Sequence, residues 1–292
     1  MYQYTTIGST LKKFRLEMGM SQTQLAKDIC TQAQISKIEK GDILPLSSTL
    51  SELTNRLGIT LDYFFSVVKS PEFDYVNDFF YFLRKHVRDK EYDEALWMVQ
   101  KEKNNPLFNS PEKKQFLLWH EGMCHFQIHK DVDYATNCLY TALHLTSRIN
   151  LIYSERQTEI LNSLGIIHDQ LKNFSKAAEL FSLALDSLEK LPLIQDKKIQ
   201  LRIYYNFSKT LINLEEYQKS IFYSEIGIKL CIREENLYLF GELHYQVGSN
   251  LIKLNRIEEG KIYIFKARCI FELTNKTKLI SIIDKELQLL PS

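Results

Sequence analysis

The chain has 292 residues, 45% hydrophobic and 25% charged, enough for one large folded domain or two unequal ones around a core. Its 37 Lys and Arg nearly match 36 Asp and Glu, so bulk charge points to no polyanion, and any nucleic-acid contact must come from local placement. No apolar run approaches the roughly 20 residues of a membrane helix, and Lys12, Lys13, Arg15 and Glu17 break up the apolar centre a secretory leader needs.

From Ile7, apolar residues recur at Leu11 and Phe14, a helical spacing that Met18-Gly19 closes. Ser21 and Gln24 form a capping-box pattern that opens a second helix, with Leu25, Ala26 and Ile29 inward. Cys30 lies in the turn, Thr31 caps a third helix with Ile35 and Ile38 inward, and Gly41 and Pro45 end it. A fourth helix starts at Ser47 or Ser48 with Leu50, Leu53 and Leu57 inward and Gly58 as its stop; a fifth carries Leu61, Phe64 and Phe65.

Five short helices with one tight helix-turn-helix suit DNA binding: the third helix buries one face and offers the other to the major groove. Ala33, Ser36, Lys37 and Lys40 then point outward, flanked by Thr31, Gln32 and Gln34. Gln reads adenine through two hydrogen bonds, Lys reaches guanine or phosphate, and a small Ala33 allows close approach. Gln22, opening the second helix, is placed to donate to a phosphate. The segments LKKFRLEMGMSQTQLAKDI, ISKIEKG and LGITLDYFF, with Pro45 between them, resemble the Xre/phage-repressor (Cro/C1-type) family. That resemblance implies that Arg15 of the first helix pairs with Glu39; burial beside Ile38 agrees, since a half-hidden Glu needs a partner. Cys30 stands where the family often has glycine, which predicts mild strain in the turn.

The body is a repeat array. EYDEALWMVQK, DVDYATNCLYTALHL, NFSKAAELFSLALDSL, EYQKSIFYSEIGIKL and RIEEGKIYIFKARCIF share a small residue at one register: Ala95, Ala135, Ala177, Ser220 and Gly260, spaced by 40, 42, 43 and 40. Gly122, Gly165, Ser208 and Gly248 mark a preceding helix. Small residues let two antiparallel helices approach at their crossing, and stacked hairpins bury a continuous core. The pattern resembles the tetratricopeptide repeat, in five degenerate copies near 72–105, 112–148, 155–190, 198–233 and 238–273. Residues 277–290 read as a capping helix, with Leu279, Ile282, Ile283 and Leu287 covering the open end. The predicted fold is therefore all-α: a five-helix Xre/Cro-C1-type helix-turn-helix domain (1–66), a linker helix region (67–75), and a right-handed tetratricopeptide-like helical superhelix (76–292).

Nothing in the sequence suggests an enzyme. There is no HExxH, no glycine-rich phosphate loop and no GxSxG. His125 and His129 share a helix face, where a core or surface role is expected of them, and no metal or other cofactor is expected. The five cysteines, Cys30, Cys124, Cys138, Cys231 and Cys269, form no CxxC pair and read as reduced core residues of a cytoplasmic protein.

The first helix of each hairpin lines the inside of such a superhelix. Its inward positions include Glu159, Asn162, Ile166 and Asp169, then Arg202, Tyr205, Asn206 and Lys209, then Glu242, Tyr245, Gln246 and Ser249, with Trp119 and Met123 on an earlier hairpin. Amides can bridge an extended backbone, and Tyr and Trp supply apolar walls with a polar edge, a mixture suited to a short peptide. A helix-turn-helix head on such repeats resembles the peptide-pheromone receptors of Gram-positive bacteria, the Rap/NprR/PlcR/PrgX group, in the layout of its PlcR-like members. The resemblance implies that Asn162 and Asn206 hold the peptide backbone, with Arg202, Tyr205, Lys209, Tyr245 and Gln246 as neighbours. It also makes Arg84, Lys85, Arg88 and Lys90 candidates for basic contacts. The expected partners are a pseudo-palindromic double-stranded operator, a short signalling peptide and a second copy of the chain; no membrane is expected. The alternative is a regulator of the same head whose repeats sense a small metabolite or hold a protein partner.

Overall fold

The computed structural model describes residues 2–68, 71–146 and 152–289, and these are helical and connecting segments with no strand among them. The helices are α1 (Tyr2–Glu17), α2 (Gln22–Ala26), α3 (Gln32–Lys40), α4 (Ser47–Arg56), α5 (Leu61–Val67), α6 (Pro71–Asp89), α7 (Tyr92–Glu102), α8 (Pro111–His129), α9 (Val132–His144) and α10 (Glu155–Gln170). They continue as α11 (Phe174–Glu189), α12 (Lys198–Asn213), α13 (Tyr217–Arg233), α14 (Phe240–Lys253), α15 (Ile257–Leu273) and α16 (Thr277–Leu289). The chain divides into two compact units, Met1–Asp89 and Lys90–Ser292. The division falls after α6, the helix expected to open the first hairpin. The linker expected at 67–75 includes residues 69 and 70, which lie outside the described residues.

In the first unit, Leu11, Leu25, Ile35, Leu53 and Phe64 are sealed from solvent and hold α1–α5 together. The capping box of Ser21 with Gln24 forms, and Thr31, expected as an N-cap, closes a second box with Gln34. Gly41 takes the left-handed conformation (φ 81°) that ends α3. Two local expectations are corrected. α2 stops at Ala26, and Ile29 and Cys30 instead donate their backbone N–H groups to Ala26 O in the turn. The turn does hold a left-handed non-glycine residue, as the mild strain expected there requires, but that residue is Asp28 (φ 59°) and not Cys30. In α5, Phe64 is buried whereas Phe65 faces out.

The second unit stacks the hairpins α8/α9, α10/α11, α12/α13 and α14/α15, with α7 against α8 and α16 against α15. Ala95, Ala135, Ala177 and Ser220 are fully buried and Gly260 is buried with them, because each sits where two helices cross. At the α14/α15 crossing both partners are glycine: a Cβ on Gly248 would lie 2.8 Å from Gly260 O, and one on Gly260 would lie 2.8 Å from Gly248 O. The core runs continuously from Phe126 to Leu251. The first helices α8, α10, α12 and α14 also lie against one another, whereas each second helix packs mainly on its own partner and the next first helix. Closer spacing of the first helices makes them the inner wall of the stack. At the end of the stack, Ile283, Leu279 and Leu287 of α16 pack on Ile264, Ala267 and Phe271. Ile282 is the exception and faces solvent.

Candidate nucleic-acid interface and inner groove

The outward row of α3 is built by its buried one. With Ile35, Ile38 and Glu39 buried, Gln32, Ala33, Lys37 and Lys40 are exposed and Ser36 is half-buried. Gln34 is exposed, but its Oε1 accepts from Thr31 N at 3.0 Å while Thr31 Oγ1 accepts from Gln34 N at 3.2 Å. These two residues thus set the start of the helix.

Behind the row lies a brace. Arg15 Nε donates to Glu39 Oε1 at 2.6 Å, Arg15 Nη2 to Glu39 Oε2 at 2.9 Å, and Arg15 Nη1 to Met20 O at 2.7 Å. Burial alone would raise the Glu39 carboxyl, but the hydrogen bonds from Arg15 and Gln22 and the charges of Arg15 and Lys12 outweigh it and hold the group below the usual carboxylate range. Gln22 is drawn into the brace, which its sequence position did not reveal. Its Nε2 donates to Glu39 Oε2 at 2.9 Å, and its Oε1 accepts from Gln32 Nε2 at 2.6 Å. A hydrogen-bonded path therefore runs from α1 through Glu39 and Gln22 to Gln32 on the exposed row. Arg56 of α4 was also missed: its Nη1 donates to Leu25 O at 3.3 Å and to Lys27 O, closing carbonyls at the end of α2.

In the second unit the inward residues meet in pairs across successive first helices. Trp119 Nε1 donates to Ser163 Oγ at 2.8 Å. Asn206 Nδ2 donates to Asn162 Oδ1 at 2.9 Å, joining α12 to α10. Gln246 Nε2 donates to Tyr205 O at 3.1 Å, joining α14 to α12, and Gln246 Oε1 accepts from Ser224 Oγ at 3.2 Å. Tyr245 Oη reaches Glu286 Oε1 and Oε2 at 2.6 and 2.7 Å, joining α14 to α16. Burial, helped by that carboxylate, pushes the Tyr245 phenol up, and burial with Glu242 nearby does the same for Tyr205.

Two of the expected cations are already engaged. Arg202 Nη2 donates to Glu159 Oε1 at 2.6 Å, with Asp196 at 3.8 Å on its other side. Lys209 Nζ lies 3.3 Å from Asp169, which also accepts from Thr210 Oγ1 at 2.8 Å. Beside the asparagine pair, Ile166, Asp169, Gln170, Phe181, Asn206 and Lys209 line a pocket of about 90 Å³. The Asn162–Asn206 bond uses one donor and one acceptor, which leaves the Asn162 amide N–H₂ and the Asn206 amide oxygen outside that bond. Arg84, Lys85 and Arg88 are placed on α6 of the first unit and Lys90 opens the second.

Two features had no clear sequence signal. Glu121 is almost fully buried and accepts from Lys103 Nζ at 2.8 Å and Tyr134 Oη at 2.8 Å. Glu286, at the far end of the inner wall, could have been found only by extending the 40-residue register into the cap. Among the described residues no group of three or more His, Cys, Asp or Glu is arranged to hold a metal ion. No helix among them is long and apolar enough to cross a membrane.

Residues 82–288 match the family described as the RNPP family C-terminal domain, and residues 11–64 match a helix-turn-helix family. No curated relative matches the sequence. Among solved structures, Bacillus thuringiensis PlcR in complex with the peptide PapR7 and DNA is 25% identical, with a TM-score of 0.80 over 96% of this chain and 99% of that one. The Streptococcus dysgalactiae SHP pheromone receptor Rgg2 shares the fold at 18% identity and a TM-score of 0.65, over 97% of this chain and 98% of that one. ComR from S. thermophilus, in complex with DNA and its signalling peptide ComS, does so at 14% identity and 0.59, over 96% and 98%.

Proposed function

The chain belongs to the RNPP family, and on that premise we propose that it is a peptide-responsive transcription regulator of quorum-sensing type. The first unit binds double-stranded DNA through α3, with Gln32, Ala33, Ser36 and Lys37 toward the bases and Lys40 toward phosphate. Gln22, Thr31 and Gln34 orient that row. The inner wall of the second unit takes a short signalling peptide, with Asn162 and Asn206 on its backbone and Tyr205, Tyr245 and Gln246 beside them. Arg202 and Lys209 reach the ligand only by sharing or leaving Glu159 and Asp169.

The observation that carries this reading is the likeness, over nearly the whole of both chains, to a PlcR solved with both a peptide and DNA. Two copies of the chain associate and present two heads to the half-sites of a pseudo-palindrome. Peptide binding favours the arrangement with the correct head spacing, which requires the peptide to bind that arrangement better than the other. A protein with these two partners works in the cytoplasm.

The test uses the full-length protein, a heptapeptide selected on it from a library, and a duplex selected from random sequence. Wild type shows peptide-dependent duplex binding. Asn206→Ala loses peptide affinity and response while its head keeps the same melting transition. Unchanged peptide affinity in that variant overturns the groove assignment.

A further inference from the structure

The inner wall is not electrically uniform along its length. At the α8 end stand Trp119, its indole N–H held by Ser163, and Met123. The middle is made of amides. The inner carboxylates Glu159, Asp169 and Glu242 each have a cation: Arg202, Lys209 and Lys276. Glu286, on α16, has none among the described residues. It is half-buried, and its contacts are those with Tyr245 Oη.

A phenol has one proton to give. It orients the Glu286 carboxylate without neutralising it, so lone pairs on both oxygens stay open. Glu242, three residues before Tyr245 on α14, adds a second carboxylate that is not fully satisfied: its Oε1 takes Lys276 at 2.5 Å, while its Oε2 is buried with no partner. This end of the wall thus carries two carboxylates and one ammonium, with Tyr205 and Tyr245 as neighbours. Aromatic faces and open carboxylate oxygens are both suited to an alkylammonium group.

We propose that the α14–α16 end of the inner groove binds an ammonium group, the α-amine of the bound peptide. The extended peptide then runs with its amino terminus at Glu286 and its later side chains toward Asn206, Asn162 and Trp119. This rests on the reading of the groove as a peptide site and adds a direction and an end-group chemistry to it. It also explains why the inner wall closes on a carboxylate although Ile283, Leu279 and Leu287 already cover the core.

The probe is a heptapeptide library made in two forms, with a free and with an acetylated amino terminus, bound to the full-length protein. Free-amine peptides bind wild type about tenfold more tightly than their acetylated counterparts, the scale of one lost charge pair. Glu286→Gln abolishes that difference by weakening the free-amine form alone, and Tyr245→Phe reduces it. Equal binding of both forms to wild type, or equal weakening of both by Glu286→Gln, overturns the proposal. A preference that follows a Lys side chain regardless of acetylation keeps the ammonium site and overturns the assignment to the amino terminus. Failure of both forms to bind refutes the peptide reading itself, and the proposal with it.

Discussion

Replacing Arg15 with Met removes the cation of the brace and keeps most of its apolar stem. Three hydrogen bonds go, and Glu39 stays buried with the Gln22 amide as its remaining donor. Breaking one side of a buried pair costs about 3–5 kcal/mol, because the other charge is left without its partner. At about 0.05–0.15 kcal/mol per residue, a unit the size of Met1–Asp89 holds roughly 4–13 kcal/mol in all, so the variant loses a large share of the head's stability. The two Trp residues, Trp97 and Trp119, both lie in the second unit. In a urea titration of the full chain, fluorescence therefore follows the repeats while circular dichroism follows both units. The predicted result is a dichroism transition shifted to lower urea with the fluorescence midpoint unmoved. Adding Glu39→Leu recovers most of the loss, since an apolar pair of similar volume replaces a buried ion pair at little cost. A single variant within about 0.5 kcal/mol of wild type, the range of ordinary surface changes, or a double variant as weak as the single, would refute the brace as a stability determinant.

Glu39 also sets an acid limit on the head. Its folded carboxyl lies below the ordinary value of 4.5, so its contribution is present above that value and is lost as pH falls through the folded one. Head stability measured by the same dichroism transition should drop below about pH 4.5, and Glu39→Gln should be less stable at neutral pH with a flatter acid limb. Gly248→Ala should destabilise the second unit by about 1–3 kcal/mol, the range for overpacking, because its methyl meets Ile264 and Gly260 O at 2.7 and 2.8 Å; a neutral result in calorimetry would mean that the α14/α15 crossing can open. Lys37→Ala should weaken binding of a selected duplex by about 1–3 kcal/mol in an anisotropy titration, with no change in head melting, since Lys37 is exposed; undiminished binding would take Lys37 out of the interface.

The caps and the repeat register were legible because they are local. A Ser or Thr three residues before a Gln can close only its own helix end, and a small residue every 40 or so positions marks a crossing whatever lies opposite. The Arg15–Glu39 pair was legible through resemblance and burial together. The turn was misjudged because its left-handed residue is chosen by where α2 stops, and α2 stops at Ala26, where Arg56 from α4 takes up carbonyls at its end.

Residue order alone makes this an all-helical chain, with a reading head of defined outward row and a stack of hairpins whose first helices carry Asn, Gln and Tyr. Which of those polar groups are engaged follows from the packing of one hairpin on the next. Gln22 joins Glu39, Arg202 joins Glu159, Gln246 joins Tyr205 O, and Glu286 is left with Tyr245. Periodicity assigns a side chain to a face. Its neighbour across 41 or 43 residues depends on how far each hairpin turns against the last, and that rotation is set by the packing of the whole interface between them.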